Sequence, residues 1–200
     1  MEGKTNKQIE RLGLGLRLKP NEIPLENLFP LFVPDSFFEY DSWPGPYELL
    51  LAKGIGLTWA IEQPGQTMLY VNQELENYWN SKQINWRDVA LNNLRKNSAE
   101  LPWTHEFDRD SGGIYAVAMM HEDGYGPSRL LLKEILNELF PDGYRVALPE
   151  MSCGLAISVT LSASEEAELY EIVQECFTKG TRPLAQGIFL PEELTTPRNS

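Results

Sequence analysis

Residues 121–140 read HEDGYGPSRLLLKEILNELF and predict a polar loop that turns into an amphipathic helix. Pro127 suits the first helical position, because its missing N–H costs nothing there and its fixed φ matches a helix. Gly126 then becomes the N-cap, Tyr125 supplies the hydrophobic residue of a staple, and Pro141 ends the helix. Apolar residues recur at helical spacing and should face a core. These core-facing positions are Leu132, Ile135, Leu136, Leu139 and Phe140.

Pairs of strands joined by short turns lie on both sides of this helix. The predicted pairs are 57–61 with 68–71, 103–108 with 114–120, and 144–148 with 155–161. Tight hairpins require antiparallel pairing. Residues 114–120 are apolar on both faces, so this strand should be central in its sheet.

Helical segments follow each strand pair. Asn72 and Asn85 are expected to cap two short helices, and the capping box from Ser162 to Glu165 starts a longer helix that ends at Gly180. The sequence therefore predicts an α+β fold. Its antiparallel or mixed sheet is expected to come from three successive strand-strand-helix units, with the helices mainly on one face.

The chain divides into four expected segments. Residues 1–20 form a mobile N-terminal segment, 21–56 a proline- and aromatic-rich arm, 57–180 the α+β domain and 181–200 a C-terminal tail. Prolines at this density argue against a long helix or a central strand in the arm. The interleaved aromatic residues argue against a disordered linker. The arm is read as packed on the body, with a partner-binding surface as the alternative.

Charge and hydropathy restrict the classes of function. The 200-residue chain has 17 basic and 29 acidic residues, a formal net charge of -12. This balance argues against nucleic-acid binding and against docking on anionic membranes, and it allows a basic protein partner. The simpler interpretation of the negative net charge is that it keeps the protein soluble. With no signal peptide and no apolar run long enough for a membrane span, a cytoplasmic location is expected.

Patterns that would indicate a metal or cofactor are not met. The two cysteines match no zinc or redox spacing. If Arg109 pairs with Ile114, His105 lies opposite Ala118 and His121 is roughly 10 Å further along, too far for joint metal ligation. The Gly-x-Gly at 124 and 126 lacks the third glycine of a dinucleotide site. We therefore expect no metal and no cofactor, and the sequence leaves oligomeric state open.

Several short stretches resemble the YtpQ-like family, a set of bacterial cytosolic proteins without an assigned activity. The stretches are Tyr70-Val-Asn72, Ala90-Leu-Asn-Asn-Leu94, Asp123-Gly-Tyr125, Ser128-Arg-Leu-Leu131 and Val146-Ala-Leu-Pro149. The resemblance covers about half of the chain, roughly positions 57 to 161. It implies a bacterial cytosolic protein and supplies no catalytic residues.

The loop before the 127–140 helix is the best candidate for a site. Asp123, Tyr125, Ser128 and Arg129 could together bind a carboxylate or phosphate at the helix N-terminus. In the alternative reading, Asp123 shapes a turn, Tyr125 is a staple and Arg129 pairs with an acidic neighbour.

Two functions follow from these observations. The first is an acidic cytoplasmic binding or interaction protein, of which an inhibitor or immunity-type protein for a basic partner is one form. The second is a small-molecule or phosphoryl-handling enzyme centred on residues 123–129. No Ser-His-Asp or Cys-His set can be assembled from the sequence. This favours a non-catalytic role, although the sequence leaves open whether the protein is an enzyme.

Overall fold

The computed structural model describes residues 19–39, 43–63 and 67–198. The strands are β1 (Leu28–Pro34), β2 (Tyr47–Leu49), β3 (Ile55–Gln63), β4 (Thr67–Tyr70), β5 (His105–Asp108), β6 (Ile114–Met119), β7 (Tyr144–Glu150), β8 (Cys153–Ser158) and β9 (Ile188–Phe189). The α-helices of the described residues are α1 (Gln73–Ser81), α2 (Trp86–Asn97), α3 (Lys133–Leu139) and α4 (Ala163–Lys179). Short 3-10 helices occupy Pro20–Glu22, Leu25–Asn27, Asp35–Glu39, Gly126–Leu131 and Pro191–Leu194.

The predicted α+β class is confirmed, with the strands arranged in two antiparallel sheets. The first sheet has the order β1-β3-β2, and β4 also pairs with β3. The second has the order β5-β6-β8-β7-β9. The hairpins β3–β4, β5–β6 and β7–β8 do not share one sheet, so the expected single sheet of three repeated units is not what the chain builds. No helix of the described residues is long and apolar enough to cross a membrane.

The proline-rich stretch contributes an edge strand to the first sheet. Among the described residues β1 pairs only with β3, and an edge strand of this kind tolerates Pro30 and Pro34. Helix α2 packs beside it, and the Asn93 side chain donates hydrogen bonds to the carbonyls of Leu25 at 2.7 Å and Leu28 at 3.0 Å. Of the expected N-terminal segment 1–20, residues 1–18 lie outside the described residues.

Aromatic residues after β1 pack on the first sheet. The Phe38 ring stacks on Tyr47 with 4.2 Å between centroids, and a Cβ added at Gly56 would come within 2.1 Å of the Phe38 ring. Trp43 meets Tyr70 edge to face at 5.0 Å. This part of the chain therefore packs against β3 and β4 through its aromatic rings.

The second sheet is covered on both faces. Strand β6 lies between β5 and β8, as its two apolar faces predict. His105 lies opposite Ala118 as predicted, but a bulge between Phe107 and Asp108 places Asp108, not Arg109, opposite Ile114. One face of the sheet packs on Leu169 and Val173 of α4, and the other packs into the main core shared with the first sheet.

The single helix predicted over residues 127–140 is wrong in its form. The chain makes a 3-10 helix at Gly126–Leu131, breaks at Leu132 (φ -84°, ψ 65°), and continues as the seven-residue helix α3. All residues from 125 to 130 are buried, because this segment lies between the two sheets. The 3-10 helix is buried on all sides and has no solvent-facing side. The prediction of an amphipathic helix is therefore wrong for this first part of residues 127–140.

Candidate functional site

A cavity of about 480 Å³ lies where the first sheet meets the β7–β8 end of the second. Its lining comes from β1 and β4, the loop before the 3-10 helix and the first two residues of that helix, the β7–β8 turn and the segment after α4. The lining residues are Leu31, Thr67, Met68, Tyr70, His121, Glu122, Gly124, Gly126, Pro127, Met151, Ser152 and Arg182.

Asp123 and Tyr125 belong to the loop before the 3-10 helix, Ser128 and Arg129 belong to that helix, and none of the four lines the cavity. Arg129 is 4% exposed, and its Nη2 is 2.8 Å from Oδ2 of Asp123. The Nε and Nη1 atoms of Arg129 have no hydrogen-bond partner among the described residues. The structure thus brings Arg129 and Asp123 together as an internal ion pair.

Tyr125 and Ser128 complete this buried layer. The Tyr125 ring stacks on Phe29 with 4.0 Å between centroids and an interplanar angle of 6°. Its hydroxyl accepts a hydrogen bond from the Asn97 amide at 3.0 Å, and the Arg129 guanidinium lies 5.4 Å from its ring. Ser128 is buried, and its N–H donates to the Tyr125 carbonyl at 3.0 Å. The prediction of anion binding at a helix N-terminus is weakened. Both the 3-10 helix and α3 are short, so few peptide dipoles are aligned and the helix dipole is small.

Glycines shape the loop that forms one wall of the cavity. Gly124 has φ +80°, a left-handed conformation that favours glycine. The Asp123 carboxylate accepts the Tyr125 N–H at 3.1 Å, which closes the turn around it. A Cβ at Gly126 would lie 3.0 Å from the His121 backbone nitrogen, so the loop ends pack directly on each other.

Arg182 is the cation of the cavity. It makes no ion pair and no side-chain hydrogen bond within residues 19–39, 43–63 and 67–198. Burial raises the pKa of Tyr70, and the Arg182 charge acts in the opposite direction. The hydroxyl groups of Thr67 and Ser152 belong to the same lining.

Glu150 connects the two chain segments that carry Ser152 and Arg182. It is 5% exposed. One carboxylate oxygen accepts from the Ser152 N–H at 2.6 Å and from the Ser152 hydroxyl, and the other accepts from the Arg182 N–H at 3.0 Å. Burial acts to raise the pKa of Glu150, but these hydrogen bonds and the Arg182 charge outweigh it and hold the pKa below its ordinary value. Glu150 therefore stays ionised at neutral pH.

His121 is a neutral imidazole at this wall. Burial lowers its pKa, and the nearby Arg129 charge lowers it further, against the opposing effects of the Leu101 carbonyl and Asp123. Its Nε2 is 2.9 Å from the Leu101 carbonyl, which can accept but not donate, so Nε2 carries the proton. Nδ1 has no hydrogen-bond partner among the described residues.

The described residues contain no group of three or more His, Cys, Asp or Glu side chains placed to hold a metal ion. Sequence reasoning missed Tyr70, Glu150, Ser152 and Arg182 as members of the site. They come from β4, β7, the β7–β8 turn and the segment after α4, and no local pattern connects them.

Comparisons with family models, curated proteins and solved structures find no match to this chain.

Proposed function

We propose that this protein is a cytoplasmic binding protein whose ligand is a small molecule with an apolar body and an anionic group. The observation that carries the proposal is the cavity of about 480 Å³ with Arg182 in its lining. Ligand pockets in proteins have volumes of roughly 300–1,000 Å³ and combine apolar walls with a few polar groups. Resemblance to the YtpQ-like family supports a bacterial cytosolic setting for this function.

The chemistry of the lining supports an anionic ligand. Leu31, Met68, Pro127 and Met151 provide apolar surface for the body of the ligand. Arg182 provides a guanidinium that can donate two parallel hydrogen bonds to a carboxylate or phosphate. In a chain of net charge -12, this local cation is the feature that would draw an anion to one place.

Binding is better supported than catalysis. The Ser152 hydroxyl donates to Glu150, a pairing that could resemble a nucleophile and its base. The pKa of Glu150 is held below its ordinary value, and a carboxylate of lowered pKa is a weak base at neutral pH. The hydrogen bond between Ser152 and Glu150 therefore holds the β7–β8 turn in place and does not activate Ser152 as a nucleophile.

The experiment uses anilinonaphthalene sulfonate, a fluorescent probe with an aromatic body and one anionic group. The folded protein should bind the probe, and benzoate or phenyl phosphate should displace it whereas benzylamine should not. Arg182→Gln should weaken binding about tenfold, which corresponds to loss of about 1.4 kcal/mol. Thr67→Trp should also weaken it, because a large ring at the exposed rim fills the cavity without a change of charge.

Arg95→Gln is the matched control. Arg95 lies on α2, pairs with Glu134 and does not line the cavity. Its removal changes the net charge by the same amount as Arg182→Gln and should leave probe binding unchanged. Equal binding by the wild type, Arg182→Gln and Thr67→Trp would exclude this cavity as the site.

An acidic interaction protein for a basic partner is the second candidate. The net charge of -12 favours it, since opposite fields steer association. Three outward glutamates of α4 pair with Arg109, Arg145 and Lys179, so the candidate depends on the charge of the whole chain rather than on this helix. A pull-down at low and high salt tests it, and failure to recover a specific partner at either would count against it.

A further inference from the structure

Two cysteines that are distant in sequence meet between β8 and α4. Cys153 is the first residue of β8, and Cys176 lies in the last turns of α4. Their Sγ atoms are 3.9 Å apart. Cys153 is buried and Cys176 is half-buried, so a small reagent can reach Cys176.

The cysteines adjoin the chain segments that form one wall of the cavity. Cys153 directly follows Ser152, and Cys176 precedes the end of α4, after which the chain reaches Arg182. These segments are packed closely, because a Cβ at Gly180 would come within 2.4 Å of Glu150 Cγ. A covalent link between the two sulfurs would add to the Glu150 hydrogen bonds that already join the same segments.

We propose that Cys153 and Cys176 are a modification site that forms a reversible disulfide with a peroxide as oxidant, and that this bond changes ligand affinity of the cavity. The proposed change in ligand affinity rests on the proposed binding function. Transient, redox-sensing disulfides are the kind that cytosolic proteins form. Closing the bond requires the sulfurs to approach from 3.9 Å to about 2.05 Å.

The chemistry balances with hydrogen peroxide. The Cys176 thiolate attacks one peroxide oxygen, the O–O bond breaks, and hydroxide leaves and takes up a proton, which gives a sulfenic acid and water. The Cys153 sulfur then attacks the Cys176 sulfur, the S–O bond breaks, and the Cys153 proton leaves with the hydroxide as a second water. The two thiols lose two electrons in total and the peroxide gains them. Burial and the adjacent Cys176 raise the pKa of Cys153 to about 12, which is consistent with Cys176 reacting first.

The test treats the full chain with hydrogen peroxide and measures intact mass and thiols accessible to maleimide after unfolding. The expected product is lighter by two hydrogen atoms, has no free thiol, and returns to the starting mass with dithiothreitol. Cys153→Ala should instead gain oxygen at Cys176, and Cys176→Ala should keep a reduced Cys153. Oxygen added at Cys176 of the wild type while Cys153 stays a free thiol, or no reaction at either, would overturn the disulfide.

Probe binding by the reduced and oxidised forms tests whether the disulfide changes ligand affinity. The affinity for anilinonaphthalene sulfonate should differ at least about threefold between the two forms of the wild type. Cys153→Ala/Cys176→Ala should show no change after peroxide, which controls for oxidation of Met68 and Met151 in the cavity lining. A disulfide with unchanged affinity overturns the regulatory role. A disulfide in a protein that binds the probe in neither form leaves the modification site standing and overturns the proposed function.

Discussion

Arg129 is a buried cation whose charge is balanced inside the protein. Its ion pair with Asp123 and its approach to the Tyr125 ring join three residues of the loop into one layer. A buried charge that loses its partner is costly, whereas replacement of the charge by an apolar group of similar size often is not. The two ends of this ion pair should therefore respond differently to substitution.

Asp123→Asn should lower the free energy of unfolding by about 3 kcal/mol, because it leaves the Arg129 charge buried without its carboxylate. The asparagine oxygen can still accept the Tyr125 N–H, so the turn is preserved. Arg129→Met should cost less, since Asp123 is the more exposed partner. Urea unfolding of the two variants measures the difference, and a larger loss for Arg129→Met would contradict this account.

Glu150 should make stability depend on pH in the acid range. Its folded pKa lies below its ordinary value, so it stabilises the protein above the unfolded pKa of about 4.3, and the contribution is lost as pH falls through the folded pKa. Glu150→Gln should cost about 2 kcal/mol at pH 7, through lost charge-assisted hydrogen bonds. The deficit should shrink as the pH is lowered from 6 to about 3. A deficit that stays constant in urea titrations over this range would refute the assignment.

At the scale of elements, local signals predicted well and burial did not. The capping box of α4 is present, with the Ser162 hydroxyl accepting from the Glu165 N–H at 3.3 Å. The Asn72 cap is present too, because caps depend on neighbours in sequence. Asn85 occupies the N-cap position of α2, but its side chain donates to the Asp88 carboxylate and makes no capping hydrogen bond. The structure of residues 126–131 was harder to predict, because two sheets enclose this segment and the local sequence does not show that it is buried. The cavity is harder still, because β1, β4, the β7–β8 turn and the segment after α4 meet there through tertiary packing alone.

Gly154→Ala tests the packing of the 3-10 helix on β8. The added Cβ would lie 3.1 Å from both Cα and Cβ of Pro127 and from a Leu130 methyl. The backbone of Pro127 must move to relieve this contact, so we expect a loss of about 2 kcal/mol and weaker binding of anilinonaphthalene sulfonate. Ser162→Ala is the control, with a loss of about 1 kcal/mol from the α4 cap and no effect on the probe. Equal probe affinity in the two variants would show that the 3-10 helix does not shape the cavity.

At the scale of the whole molecule, the C-terminal tail joins the two sheets. Strand β9 pairs with β7 in the second sheet. The chain then crosses to the first, where the Ala52 N–H donates to the Glu193 carbonyl at 3.1 Å and Arg198 pairs with Asp35 at 3.0 Å. The two sheets also share the main core, so they should unfold together.

Leu194 is fully buried where the tail crosses between the sheets, and its removal tests this coupling. Leu194→Ala should cost about 3 kcal/mol, from lost burial and the cavity left behind. Because the contact serves both sheets, tryptophan fluorescence and far-ultraviolet circular dichroism should report one coincident transition, shifted to lower urea. Leu190→Ala, at a position 56% exposed, is the control and should change stability by less than about 0.5 kcal/mol. Separate transitions for the two signals in Leu194→Ala would mean that the tail holds together two units that can each unfold alone.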